Sequence, residues 1–156
     1  MIRTGLIAVA LVPLCLFVTA GAHAGTDPSQ TFRNFGLDGV WSPDCRRDPS
    51  IDNPRVFWRP RDSGPFTHAV TFDGRTFALI DTVASAVRMN DNQLRFVVVR
   101  NARPALTVTV EWHGTKFHTV TSVGADGTIY YHDGIGSATG KPSLLDERCD
   151  VVPPLS

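Results

Sequence analysis

The segment from Asn92 to Asp133 constrains this chain most, because it alternates apolar and polar residues and breaks only at short turns. An alternation of period two is the signature of β-strands with one face buried. Gln93–Arg100, Ala105–Trp112, Thr115–Ser122 and Thr128–His132 read as four consecutive strands. The links between them are Asn101–Pro104, His113-Gly114 and Gly124-Ala125-Asp126-Gly127. Links this short join antiparallel neighbours, since parallel strands need a crossover of about a dozen residues or more. Leu94, Phe96 and Val98 share one face of their strand, and Leu106, Val108, Val110 and Trp112 share one face of the next. Those faces belong to the core. Thr115–Ser122 alternates less cleanly.

Upstream, Asp38–Ser42 is a first strand anchored by Trp41, and Arg55–Trp58 and Phe66–Phe72 are the next two. Asp73-Gly74 predicts a two-residue type I′ hairpin turn leading into Arg75–Thr82. Ser85–Met89 follows as a separate, weaker strand. The expected fold is therefore all-β, an antiparallel meander of about eight strands forming an up-and-down barrel, with a two-sheet sandwich as the alternative. Gly25–Phe35 is polar and contains proline, and reads as a mobile N-terminal arm. Residues 36–156 then form a single barrel-like domain, with Ser143–Arg148 long enough for one helical turn.

Residues 1–24 read as a cleaved signal peptide. Arg3 supplies the positive start, Leu6–Val18 the apolar run, and Ala22-His23-Ala24 the small residues before a cleavage site. The apolar run falls short of the roughly 20 residues of a spanning helix, so no membrane insertion of the mature chain is expected. Val12-Pro13-Leu14 before Cys15 departs from the bacterial lipoprotein box. Cleavage after Ala24 leaves Cys45 and Cys149 in a periplasmic or secreted protein, where an even count points to a disulfide. It would close a loop of about a hundred residues, and its reduction should lower thermal stability by several degrees or more. Without Arg3, the 15 Asp and Glu outnumber Lys and Arg by one, which argues against a nucleic-acid partner.

Gly39-Val40-Trp41 has the Gly-x-Trp form of the first strand of lipocalins. The resemblance implies that Trp41 packs across the closed end of an up-and-down barrel whose cavity binds small apolar molecules. Lipocalins usually carry a helix after the barrel, for which only Ser143–Arg148 is available. Gly39–Cys45, Asn53–Trp58, Ser122–Gly127 and Cys149 together resemble small uncharacterised exported bacterial proteins, which implies export and a disulfide.

Other sites are argued against by the chemistry they would need. Gly134–Lys141 lacks the first glycine of a phosphate-binding loop, where Ile135 stands, and Pro142 replaces its hydroxyl residue. His68, His113, His118 and His132 show neither the helical nor the clustered spacing of metal ligands, although His68 shares a face with Phe66, Val70 and Phe72. Ser122, His118 and Asp126 are the nearest approach to a catalytic trio, without a nucleophile motif. No metal, no cofactor and no enzymatic activity are expected. The expected function is binding: of a small apolar ligand, with Trp41, Phe96, Val108 and Trp112 among its lining. The alternative is a cell-envelope protein-interaction or inhibitor module, acting through Arg46, Arg47, Trp58 and Arg59, since tryptophan and arginine anchor interfaces.

Overall fold

The structure is a computed structural model that describes residues 27–60 and 65–149; the expected signal peptide lies outside them. One antiparallel sheet contains ten strands: β1 (Gly39–Ser42), β2 (Arg55–Pro60), β3 (Phe66–Thr71), β4 (Leu79–Arg88), β5 (Gln93–Val99), β6 (Leu106–His113), β7 (Lys116–Gly124), β8 (Ile129–His132), β9 (Ile135–Gly136) and β10 (Glu147–Arg148). Their order is β10-β1-β2-β3-β4-β5-β6-β7-β8-β9. The chain is thus a meander, as the alternation predicts, with the last strand returning to pair with the first.

Three expectations about architecture are corrected. The sheet is a curled half-barrel rather than a closed barrel, and it is one sheet rather than the two of a sandwich. Across the open side, one isolated bridge joins Phe117 of β7 to Asp146, with N–H···O distances of 3.0 and 2.8 Å. Strands number ten rather than about eight, because the glycine-rich tail and the last residues add β9 and β10. Of the expected Arg75–Thr82, residues 75–78 lie in the loop, while Leu79–Thr82 runs on through Ser85 to Arg88 as one strand, β4, whose pairing with β5 shifts between Val83 and Ser85. Ala84 is the extra residue of a bulge there, and a bulge swaps the inward face and so hides the continuity from a period-two reading. The same device at Val120, between the Thr109–Thr121 and Val110–Thr119 pairs, explains the imperfect alternation of β7.

The expected mobile arm contains a helix, α1 (Pro28–Phe35). Asp27 caps it, its side chain accepting from the Ser29 backbone N–H at 3.0 Å. Pro28 occupies the first turn, where its missing N–H costs nothing. At the far end Gly36 takes the left-handed conformation (φ 86°), and the N–H groups of Gly36 and Leu37 return to the carbonyls of Arg33 and Phe32. That is the Schellman stop, which favours glycine because it needs positive φ. The helix packs on β4 and β2, and the buried ring of Phe32 lies about 5 Å from those of Trp58, Phe66 and Phe96.

The hairpin turn of two positive-φ residues falls at Asp133-Gly134 (φ 50° and 76°) between β8 and β9. At Asp73-Gly74 the expectation is corrected: the Asp73 carboxylate accepts from the N–H groups of Arg75 and Thr76 and from the hydroxyls of Thr71 and Thr76. These bonds hold its acid well below the usual range and shape a wider loop. Ser143–Arg148 forms no helical turn and ends in β10.

The concave face holds the main core, from Phe32 and Trp41 through Leu94, Phe96 and Val110 to Phe117. On the other face a small cluster joins Val40, Phe57, Ala69 and Cys149 to Cys45 and Phe77. The disulfide Cys45–Cys149 lies there and joins residues 104 apart in sequence. Arg55 braces it, donating to Cys149 Sγ at 3.0 Å and to the carbonyl of Cys45 at 2.8 Å. Beside it the fully buried Asn53 organises the β1–β2 loop, donating to the carbonyls of Asp44, Arg47 and Asp48 and accepting from Ser42 Oγ.

Candidate functional site

The curl of the sheet leaves a cavity of about 220 Å³ on its concave side. Its apolar wall comes from five strands: Val56 of β2, Leu79 of β4, Phe96 and Val98 of β5, Leu106, Val108 and Val110 of β6, and Phe117 of β7. Register makes this wall continuous, because Phe96 pairs with Val108, and Val98 with Leu106, across β5 and β6. Its polar groups are those of Trp58, His68 and Asp81 of β2–β4, Ser122 and Thr119 of β7, Tyr131 of β8, and Asp146 of the bridge. Arg100 and the exposed Arg103 add positive charge from the β5–β6 loop. Arg100 is turned partly aside, its guanidinium donating to the Pro104 carbonyl and lying over the Tyr130 ring.

Among the described residues, three buried side-chain polar atoms have no hydrogen-bond partner within the chain: Trp58 Nε1, His68 Nδ1 and Asp146 Oδ1. All three residues line this one cavity. Buried polar groups are nearly always bonded, so each exception calls for a cause. Trp58 and His68 stack with ring centroids 4.3 Å apart. His68 Nδ1 is 3.6 Å from Asp81 Oδ2, an electrostatic contact too long for a hydrogen bond. Asp146 is held by its backbone bridge to Phe117, so its position is set while its side chain is left free. The residue is half-buried as a whole, but its Oδ1 is shut off from solvent. Burial pushes its carboxyl up to about 7, opposed only by the pull of Lys116. Lys116 itself pairs with Glu147 at 3.0 Å.

Two of the four expected lining residues, Phe96 and Val108, are in this wall. Trp41 and Trp112 are not. Their rings pack 5.6 Å apart and border a shallow outer depression with Gly36, Asn92 and Arg148. Their indole N–H groups are both occupied, Trp41 donating to the Leu37 carbonyl at 3.0 Å and Trp112 to that of Phe35 at 3.3 Å. The expected interaction surface loses its anchor, because Trp58 is 4% exposed and faces the cavity. Arg46, Arg47 and Arg59 are exposed, Arg46 paired with Asp44 and Arg59 lying over the Phe57 ring.

Ser122, His118 and Asp126 do not converge as a trio. Ser122 faces the cavity, His118 Nδ1 meets Ser143 Oγ at 3.1 Å, and Asp126 accepts from the Thr128 N–H in the β7–β8 turn. Among the described residues no cluster of His, Cys, Asp and Glu could hold a metal, and no helix is long and apolar enough to cross a membrane. Asp81, Tyr131 and Asp146 escaped the sequence reading. Asp81 carries an alternation signal, being opposite His68 in register, whereas Asp146 sits in no periodic segment.

Together the fold and site define a curled β half-barrel whose concave side holds a cavity of mixed polarity. No protein-family model matches the chain, and no curated protein or solved structure does so either.

Proposed function

We propose that this is an exported binding protein that holds a small, largely apolar molecule in the cavity of its curled sheet. The observation that carries the reading is the convergence of all three unpartnered buried polar atoms on that cavity. A concave apolar pocket with a few convergent polar groups is the usual form of a small-molecule site. At about 220 Å³ it is smaller than the roughly 300–1,000 Å³ of drug-sized pockets, so the molecule is correspondingly small. The Cys45–Cys149 disulfide accords with a periplasmic or secreted place, where such bonds persist. The leader-like residues 1–24 support the same reading. An interaction module built on Trp58 is the weaker reading, since that side chain is withdrawn from the surface.

Native mass spectrometry of the chain purified gently from an exporting host tests this. The wild type should carry a small-molecule adduct, and Val108→Phe, which fills the apolar wall, should lose it while keeping the disulfide mass. Identical spectra for the two, whether bare or liganded, would overturn the reading.

A further inference from the structure

The polar atoms of the cavity specify more than size. The Trp58 indole N–H can only donate, so its partner must accept. Asp146 Oδ1 accepts when ionised and shares in donation when protonated. Because burial holds this carboxyl near neutrality, a partner that serves both forms must donate as well as accept. Charge narrows the class further. Asp81 and Asp146 face the same cavity as Arg100 and Arg103, so a fixed charge of either sign meets its like on entry or when seated. Desolvating an ion without a clean counter-charge is costly.

We propose that the cavity selects an uncharged single-ring or similarly small molecule whose amide or hydroxyl group accepts from Trp58 Nε1 and exchanges a hydrogen bond with Asp146. Its apolar body lies against Phe96, Val98 and Val108. This rests on the reading that the cavity binds a ligand at all, and the test separates the two.

Four probes share one ring and differ in its substituent: benzamide, toluene, benzoate and benzylamine. Their affinities are measured by calorimetry, and the indole N–H resonances of Trp41, Trp58 and Trp112 are followed by NMR. Benzamide should bind tightest, at least about tenfold above toluene, as a buried hydrogen bond otherwise left unmade requires. Only the Trp58 resonance should shift strongly, because the other two indoles are already bonded. Trp58→Phe should bring benzamide down to the level of toluene; should that variant not fold, the wild-type resonances decide. Equal affinity for toluene and benzamide overturns the polar selection and leaves ligand binding standing. Tightest binding by benzoate or benzylamine overturns the uncharged class. Benzamide binding without a Trp58 shift overturns the inference in favour of water as the partner of these atoms. No binding by any probe overturns the binding reading itself.

Discussion

The molecule contains three tryptophans in two kinds of surroundings. Trp41 and Trp112 pack against the end of α1 and the residues after it, and their indole N–H groups are taken up by the carbonyls of Leu37 and Phe35. Trp58 is buried like Trp41, yet its N–H meets no partner among the described residues. The first pair shows how the fold uses an aromatic: a large apolar body, with its polar tip tied to backbone. The second shows the same residue with its tip left over for something else. Burial alone does not separate the two kinds here. The fate of one N–H does.

The comparison can be broken at the helix-capped region first. Phe32→Ala removes the ring that joins α1 to Trp58, Phe66 and Phe96 and should cost about 3–5 kcal/mol, read as a lower urea midpoint at unchanged slope. A cost below about 1 kcal/mol would mean that α1 is peripheral. Trp41→Phe should cost about 1–3 kcal/mol, because it leaves the Leu37 carbonyl unpaired in the core. Trp58→Phe makes the same change in size where no hydrogen bond is lost, and should cost less than Trp41→Phe by about 1 kcal/mol, the contribution of one such bond. Equal losses for the two tryptophans would remove the distinction drawn between them.

Titration gives an independent handle on the cavity. The Asp146 carboxyl is raised from 3.8 to about 7 by burial, so the folded protein holds that proton more tightly than the unfolded chain does. This group's contribution to stability therefore falls as pH rises from about 4 to about 7 and is level above that. Asp146→Asn should remove the slope, seen as a wild-type-minus-variant difference in urea midpoint that changes across that window. A constant difference from pH 4 to 8 would place the carboxyl in solvent.

The central meander was legible because Leu94, Phe96, Val98 and their partners on β6 alternate without interruption, and turns of a few residues admit one topology. The disulfide was legible from the two cysteines that remain when residues 1–24 are read as a leader. What failed did so for local reasons. Helix α1 carries good end signals in Asp27, Pro28 and Gly36, but eight residues are too few for a helix without tertiary support. That support comes from Phe32 meeting rings far away in sequence. Asp73 and Asp133 both precede glycine; Thr71 and Thr76 around the first supply hydroxyls that recruit its carboxylate away from a tight turn. In the site, Phe96 and Val108 were readable from period two. Trp58 was read instead as an exposed anchor beside the arginines, although Arg55 and Arg59 share the face of Phe57 and leave Trp58 on the opposite, concave face. Asp146 depends on one bridge across the open side of the sheet, which no local pattern encodes.

That open side also orders the assembly of the protein in time. Strands β2 to β9 can each zip onto the neighbour just made, whereas the outer edge of β1 pairs with Glu147, Arg148 and Cys149. Cys45 likewise precedes its partner by 104 residues. Contacts between such distant residues carry the largest loop-closure entropy and form slowly. A chain emerging from its N-terminus therefore holds an unpaired strand edge and a free thiol until Glu147 to Cys149 appear. A chain stopped at His132 would keep every ladder from β1 to β8 and still present a bare edge to its neighbours, the situation that leads strands to pair between molecules. The first strand is finished only by β10, the last strand in sequence among the described residues.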